Sequence, residues 1–284
     1  MSNSDYVWER KRGDRGQEVR RAQLALGISA DGIFGSQTEQ AVIAYHGSPI
    51  IDRCMMYSLG IPIDLGVDVS SYQVDTDWER VSRTGVTFAW RKVTEGQTHV
   101  NGEKGSEAGD SVAFIRDAIR ARENDIEVGF YHFGRPDTDV GSSDAKAEAQ
   151  HFLSYVVPDV CSLPYALDVE KGVSGDYNYN ANWVINWCEF VEQTTSKPVI
   201  IYTARWAFNS YLKHADDKFI QKIISRPLWL ADYDGNPDDE VAPWEEYAIN
   251  QFTGSGSIDG VNGNCDVNWS AGGALRKLVN GGYC

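Results

Sequence analysis

The chain has 284 residues, of which 42% are hydrophobic and 24% charged, and its 26 Lys+Arg against 41 Asp+Glu give a net charge of −15. That composition excludes a disordered chain, a coiled coil and a collagen-like repeat. No apolar run approaches the ~18 residues of a membrane span, so no membrane insertion is expected, and the acidic balance argues against nucleic acid as a partner.

The length suits two domains at ~100–200 residues each. Residues 1–60 hold seven basic and seven acidic side chains, so residues 61–284 carry the whole negative excess. Gly and Pro punctuate the chain at Gly47-Ser-Pro-Ile50 and Gly60-Ile-Pro-Ile63, and such clusters break regular structure. The boundary is therefore placed around 60–65, with a small all-α domain at 1–60 and a second domain at 61–284. On this division residues 66–284 should fold alone. In the first domain, Gln17 to Leu26 sets Val19, Ala22, Gln23 and Leu26 on one helical face, and Gly27 is its stop. Asp31-Gly-Ile-Phe-Gly35 reads as a tight turn with an apolar plug. Ser36 and Glu39 have capping-box spacing before a second helix through Thr38, Ala41, Val42 and Tyr45. Arg10, Lys11, Arg12, Arg15, Arg20 and Arg21 read as a solvated helix face.

The second domain alternates two kinds of segment. Apolar runs lie at 65–69, 86–93, 126–133, 165–169, 198–202, 228–231, 247–252 and 265–269. Amphipathic helical stretches lie at 111–123, 144–156, 179–193 and 217–225. Such alternation predicts an α/β fold with a parallel sheet, and eight strands suggest a closed (β/α)-type barrel. The intervals 232–246 and 253–264 are rich in Gly, Pro and Asp, so the barrel should be irregular, with reduced outer helices. A regular barrel takes ~250 residues.

Barrel active sites lie at the C-terminal ends of the strands. Four acids are expected there: Asp68 ending the first strand, Asp168 and Glu170 ending the fourth, and Asp266 ending the last. Residues i and i+2 of a strand face the same side, ~6.6 Å apart, so Asp168 and Glu170 project into one space. Like charges held close raise a carboxyl pKa, which keeps a proton available for a leaving group. Paired carboxyls are the usual means of cleaving a glycosidic bond. Two unrelated surface acids would carry the same DxE pattern.

Seven stretches occur in one order: Val67-Asp-Val-Ser-Ser-Tyr-Gln73, Lys92-Val-Thr-Glu-Gly96, Gly129-Phe-Tyr-His-Phe-Gly-Arg-Pro136, Ala166-Leu-Asp-Val-Glu170, Ile201-Tyr-Thr203, Trp229-Leu-Ala-Asp-Tyr233 and Asp266-Val-Asn268. Over residues 64–270 the chain resembles the Chalaropsis-type lysozymes, glycoside hydrolase family 25. In the first region, Val19, Gln23, Leu26 and the run from Asp31 to Val42 resemble the helical peptidoglycan-binding domain, departing from it after Tyr45. The first resemblance implies hydrolysis of the β-1,4 bond after N-acetylmuramic acid with retention. It makes Glu170 the proton donor and Asp168 the support of an attacking substrate acetamido group, a role for which a direct nucleophile is the alternative. It makes Asp68 and Asp266 flanking acids and Tyr202 a partner of the acetamido carbonyl. It adds Glu95, Tyr131, Trp229, Asp232, Tyr233 and Gln251 as substrate-binding residues. The second resemblance implies wall contacts at Asp31 and Phe34. Trp90 and Arg91 depart from the family's usual aliphatics, and Asn250 stands where an aromatic is common.

The five histidines form no metal motif, and His132 reads as a satisfied barrel residue. The run Asp232 to Glu240 lacks the sixth-place Gly and twelfth-place Glu of a calcium loop, so neither metal nor cofactor is expected. Lys92, Thr94 and Glu95 suit either a site role or barrel packing, Trp206 could line the sugar groove, and Trp183 and Trp187 read as helix core. Cys54, Cys161, Cys188, Cys265 and Cys284 are odd in number, widely spaced and read as free thiols. The first twelve residues carry charge where an export signal needs an apolar stretch. The expectation is a monomeric bacteriophage endolysin, held in the cytoplasm of the infected host cell until holin-dependent release and acting on bacterial peptidoglycan. A non-catalytic wall-binding protein and a hydrolase of another amino-sugar polymer are the alternatives.

Overall fold

Strand segments buried on both faces close into a barrel in the computed structural model, which describes residues 8–73, 75–102, 113–139, 141, 143–233 and 241–281. The first region contains β1 (Glu9–Arg10), α1 (Gln17–Ala25), α2 (Ser36–His46), β2 (Ile51–Asp52) and α3 (Arg53–Ser58). Then follow β3 (Ile63–Val69), α4 (Trp78–Arg83), β4 (Val86–Glu95), β5 (His99–Val100), α5 (Ala113–Glu123), β6 (Glu127–Phe133) and α6 (Asp144–Leu153). The remainder is β7 (Tyr165–Asp168), α7 (Tyr177–Thr195), β8 (Val199–Ala204), α8 (Arg205–Tyr211), α9 (Asp217–Ile224), β9 (Leu228–Ala231), β10 (Ile249–Gly256), β11 (Cys265–Ala271) and α10 (Ala274–Val279).

The barrel order is β3-β11-β10-β9-β8-β7-β6-β4, closed by pairing of β3 with β4, and β5 extends from β4. All eight expected strands are present, and among the described residues no helix lies between β9 and β11. One expectation needs correction: β11 runs antiparallel to both β10 and β3. The short chain between β10 and β11 has no crossover helix, so the two form a hairpin, as a short connection dictates.

The lumen is packed with rings. Trp90 lies 4.6 Å from Trp229 between centroids, and Tyr202 meets Trp229 edge-on at 4.9 Å. Glycines make this possible. A Cβ on Gly129 would sit 2.2 Å from the Trp90 indole nitrogen, and one on Gly66 would sit 2.1 Å from the Phe88 ring. Trp90 thus fills the space of an aliphatic because Gly129 faces it. Ala274, Leu275 and Leu278 of α10 join the lumen cluster at the end where Ala271 pairs with Ile63, away from the mouth. Arg91, on the outer side of β4, is buried and donates to Asp117 of α5 at 3.1 Å.

The first region is not purely helical, because β1 and β2 pair. The expected capping box is also absent. Gly35 is the N-cap of α2 with no side-chain cap, and Glu39 pairs with Arg12 at 3.1 Å instead. Phe34 is 1% exposed and belongs to the core with Val19, Ala22 and Val42. Asp31 Oδ1 accepts from Gln23 Nε2 at 2.8 Å and from the Ile33 amide at 2.9 Å. The wall contact expected of Phe34 is therefore corrected: an apolar ring in the middle of a small helical unit is worth more inside than at its surface. Nor is the basic cluster uniformly solvated, since Arg10 is buried and Arg21 Nη1 donates to the Ala271 carbonyl at 2.8 Å. The chain turns at Gly60, but one hydrophobic cluster crosses that point, joining Trp8, Val19 and Met55 to Ile63, Trp269 and Ala271.

Candidate active site

Strand alternation delivers the acids to one place. Asp68 is the penultimate residue of β3, and Asp168 is the last of β7. Glu170 follows two residues later, after the Val169 amide has extended the pairing to the Tyr202 carbonyl at 2.9 Å. Asp266 arrives by another route than expected. It opens β11 rather than ending it, and reaches the mouth because that strand runs backwards, in register with Asp68. The four acids line one cavity of about 310 Å³ with Ser70, Tyr72, Lys92, Tyr131, Phe133, Tyr202, Trp229, Tyr233 and Gln251.

A directed hydrogen-bond network surrounds Asp68. The Tyr202 and Tyr233 hydroxyls donate to Gln251 Oε1 at 2.9 and 2.6 Å. Gln251 Nε2 donates to Asp68 Oδ2 at 2.8 Å, as does Asn268 Nδ2. Trp229 Nε1 holds Asn268 Oδ1 at 2.7 Å. Burial and the neighbouring Asp266 charge nonetheless push Asp68 well above the usual carboxylate range, overcoming its amide donors. Burial also raises Asp266. Asp168 is raised strongly by burial and then by Glu170. Glu170 is raised by burial, against the Tyr202 hydroxyl beside it, and Asp266 adds to the rise. Asp168 Oδ1 is shielded from water and has no hydrogen-bond partner.

Two expected site residues lie outside this cavity. Glu95 is set back, holding Lys92 Nζ at 2.8 Å and Arg135 Nη1 at 3.0 Å. Asp232 is buried and lines a neighbouring cavity of about 460 Å³ with Arg205, Trp206 and Asn209, which Glu170 and Tyr233 share with the first. Four lining or holding residues were not singled out from the sequence: Ser70, Tyr72, Phe133 and Asn268. Three of them could have been, because Ser70, Phe133 and Asn268 each stand two places along a strand direction from Asp68, Tyr131 and Asp266, on the same face.

His132 is a satisfied interior residue. It is held by Glu148 at 2.8 Å and Thr94 at 2.8 Å and stacks on Trp187 with centroids 5.4 Å apart. Burial lowers its pKa to about 3. Trp183 and Trp187 are buried on α7. Of the run once resembling a calcium loop, residues 234–240 lie outside the described residues.

A cavity with paired, desolvated carboxyls and aromatic walls is equipped for acid-assisted cleavage of a glycosidic bond. Comparison with known proteins agrees. Residues 67–261 match the model of the glycosyl hydrolases family 25. An uncharacterized protein, YegX, of Escherichia coli K12 is 30% identical over 209 residues, covering 72% of this chain and 68% of that one. Lysozyme M1 of Streptomyces globisporus is 26% identical over 220 residues, covering 75% and 70%. The solved structure of a muramidase from Acremonium alcalophilum superposes with a TM-score of 0.60 at 26% identity, covering 77% of this chain and 99% of that one. With its barrel, its clustered acids and this match, the chain belongs to the glycosyl hydrolases family 25 and is a glycoside hydrolase.

Proposed function

We propose that this glycoside hydrolase is a muramidase, cleaving the β-1,4 bond between N-acetylmuramic acid and N-acetylglucosamine in bacterial peptidoglycan. The observation that carries the reading is the pairing of Asp168 and Glu170 in one cavity, where the enclosed Asp168 Oδ1 has no hydrogen-bond partner. A buried polar atom left unpaired costs about 1–3 kcal/mol, so the Asp168 carboxyl has acceptor capacity to spare, and the N–H of a substrate acetamido group is a donor suited to it. The lysozyme and the muramidase among the relatives support the same substrate class.

The mechanism follows from where one proton goes. Asp168 and Glu170 titrate as a pair, because a charge on one opposes a charge on the other. An acetamido N–H donating to Asp168 favours its carboxylate, so the proton resides on Glu170. Glu170 gives that proton to the glycosidic oxygen as the bond from C1 breaks, and the leaving sugar departs as an alcohol. The acetamido carbonyl oxygen bonds to C1 from the opposite face, and Asp168 stabilises the positive charge developing on the acetamido group. Glu170, now a carboxylate, takes a proton from water while the water oxygen attacks C1 and reopens the ring. Two inversions give retention. This route departs from the ordinary two-carboxylate scheme. Asp68 and Asp266 set the local charge, Tyr202 and Gln251 face the acetamido group, and Tyr131, Trp229 and Tyr233 offer rings to the sugar faces. Glu95 acts through Lys92, and Asp232 serves the adjoining cavity.

The biological setting we propose is a monomeric phage endolysin, kept in the host cytoplasm until a holin releases it. Cys54, Cys161, Cys188 and Cys265 carry free thiols, which supports folding in a reducing compartment. A wall-contacting role for the first region rests on its resemblance to the peptidoglycan-binding domain. The test is mass spectrometry of fragments released from purified walls. Fragments ending in reducing N-acetylmuramic acid are expected, with none from Glu170→Gln. Fragments ending in reducing N-acetylglucosamine, or chitin cleaved while walls stay intact, would overturn the assignment.

A further inference from the structure

In a regular barrel each strand is covered on its outer face by a helix. Among the described residues the β10–β11 hairpin has no helix of its own before or within it, and the N-terminal head covers that face instead. Trp8 meets Trp269 edge-on at 6.0 Å, and Phe252 stacks on the same Trp269 at 4.1 Å. The Arg10 guanidinium lies 4.6 Å from the Trp269 ring centre. It pairs at 3.5 Å with Glu18, whose side chain is completely buried, and the Tyr247 hydroxyl donates to Glu18. Backbone is gripped as well: Gln17 Nε2 donates to the Tyr247 carbonyl at 3.0 Å, and Arg21 Nη1 to the Ala271 carbonyl at 2.8 Å. The head thus holds the chain entering β10 and the end of β11.

Strand alternation connects this seam to the site. Phe252 and Trp269 face the head, so their neighbours Gln251 and Asn268 face the lumen. Those two amides are the donors to Asp68 Oδ2, each at 2.8 Å. We propose that the head is a brace for the β10–β11 hairpin, and that Arg10 and Arg21 are positioning residues for Asp68. The proposal rests on the reading of Asp68 as an acid of the active site. A displacement of about 1 Å in a catalytic group can cost ~10²-fold in rate, so a loosened hairpin reads out as lost turnover.

The test uses the full-length chain and soluble peptidoglycan oligosaccharides, which need no wall anchoring. Arg10→Ala and Arg21→Ala should stay folded by circular dichroism, lose about tenfold or more in kcat and keep KM within about twofold. Arg10→Lys, which keeps a cation between Glu18 and Trp269, should recover part of kcat. Pelleting with insoluble walls should not change. If Arg10→Ala does not fold at the assay temperature, Arg21→Ala, which loses the bond to the Ala271 carbonyl and an ion pair with the half-exposed Glu246, decides the matter. Wild-type kcat in folded variants, or a loss seen only on insoluble walls with weaker pelleting, would overturn the brace and make the head a wall anchor. Asp68→Asn in the same assay separates the two readings. Full activity in that variant removes Asp68 from the site and the proposal with it. Loss of activity in Asp68→Asn with none in the arginine variants leaves the site standing and overturns the brace alone.

Discussion

Carboxylates are buried at two regions of this molecule, in contrasting company. At the seam between head and barrel, Glu18 is enclosed but meets Arg10 and the Tyr247 hydroxyl. At the mouth, Asp68, Asp168, Asp266 and Glu170 share one cavity in which Lys92 is the basic side chain, and Lys92 is already tied to Glu95. Burial penalises charge in both places. At the seam a counter-ion offsets the penalty, and the surrounding rings decide the balance. A buried Trp removes ~150–250 Å² from water, about 4–6 kcal/mol at ~25 cal/mol/Å², more than a buried ion pair contributes net. At the mouth Lys92 alone among the described cavity-lining residues opposes four acids, and the unfavourable electrostatics remain as raised pKa values. The seam is organised for stability, and on the proposed mechanism the mouth gives stability up for proton transfer.

Breaking the mouth should have the largest effect. Glu170→Gln keeps the shape and removes the proton, so kcat on soluble fragments should fall ~10²–10⁴-fold. Retention of most activity would remove Glu170 as the donor. Breaking the seam should be felt in stability. Glu18→Gln leaves Arg10 as an uncompensated buried charge, costing about 3–5 kcal/mol, or on the order of 10 °C in Tm. A melting curve within about 2 °C of wild type would show that the ion pair is dispensable.

The comparison sharpens with pH. Asp168 has a raised folded pKa, so its contribution to stability is fully present below the ordinary Asp value and is lost as pH rises through the folded value. Asp168→Asn escapes that loss. Its Tm should exceed wild type, and the excess should grow as pH rises above the ordinary Asp value while activity collapses. A constant or negative difference in calorimetry would contradict the assignment of strain to the mouth. The smallest effect concerns Asp266, whose charge helps raise Glu170. Asp266→Asn should move the alkaline limb of the residual kcat/KM profile to lower pH, because removing the negative charge eases ionisation of Glu170. An unmoved limb would separate Asp266 from the acid.

Much of the barrel was legible because strands announce themselves locally. The apolar runs matched all eight barrel strands, and the acids at or near their ends met in one cavity. The errors came from elements whose geometry depends on distant partners. The backward run of β11 is set by its hairpin with β10, and Asp266 reaches the mouth through that reversal. Phe34 lies in a loop motif that reads alike whether its ring points in or out, and only packing against Val19 and Val42 sends it inward. Glu95 suits a site role or ion pairing by its motif alone, and only the fold shows Lys92 and Arg135 holding its carboxylate aside.

The sequence by itself determined the α/β barrel, the positions of its strands along the chain and the carboxylates at or near their ends. Period-two alternation and the ends of apolar runs are properties of neighbouring residues. Tertiary structure decided which buried acids are paired and which are left without a cation. Glu18 finds Tyr247 across a separation of 229 residues, and Asp68 receives Asn268 across 200. No local pattern encodes such meetings. They follow from the closure of the barrel and the docking of the head, where burial of rings outweighs the charges carried along with them.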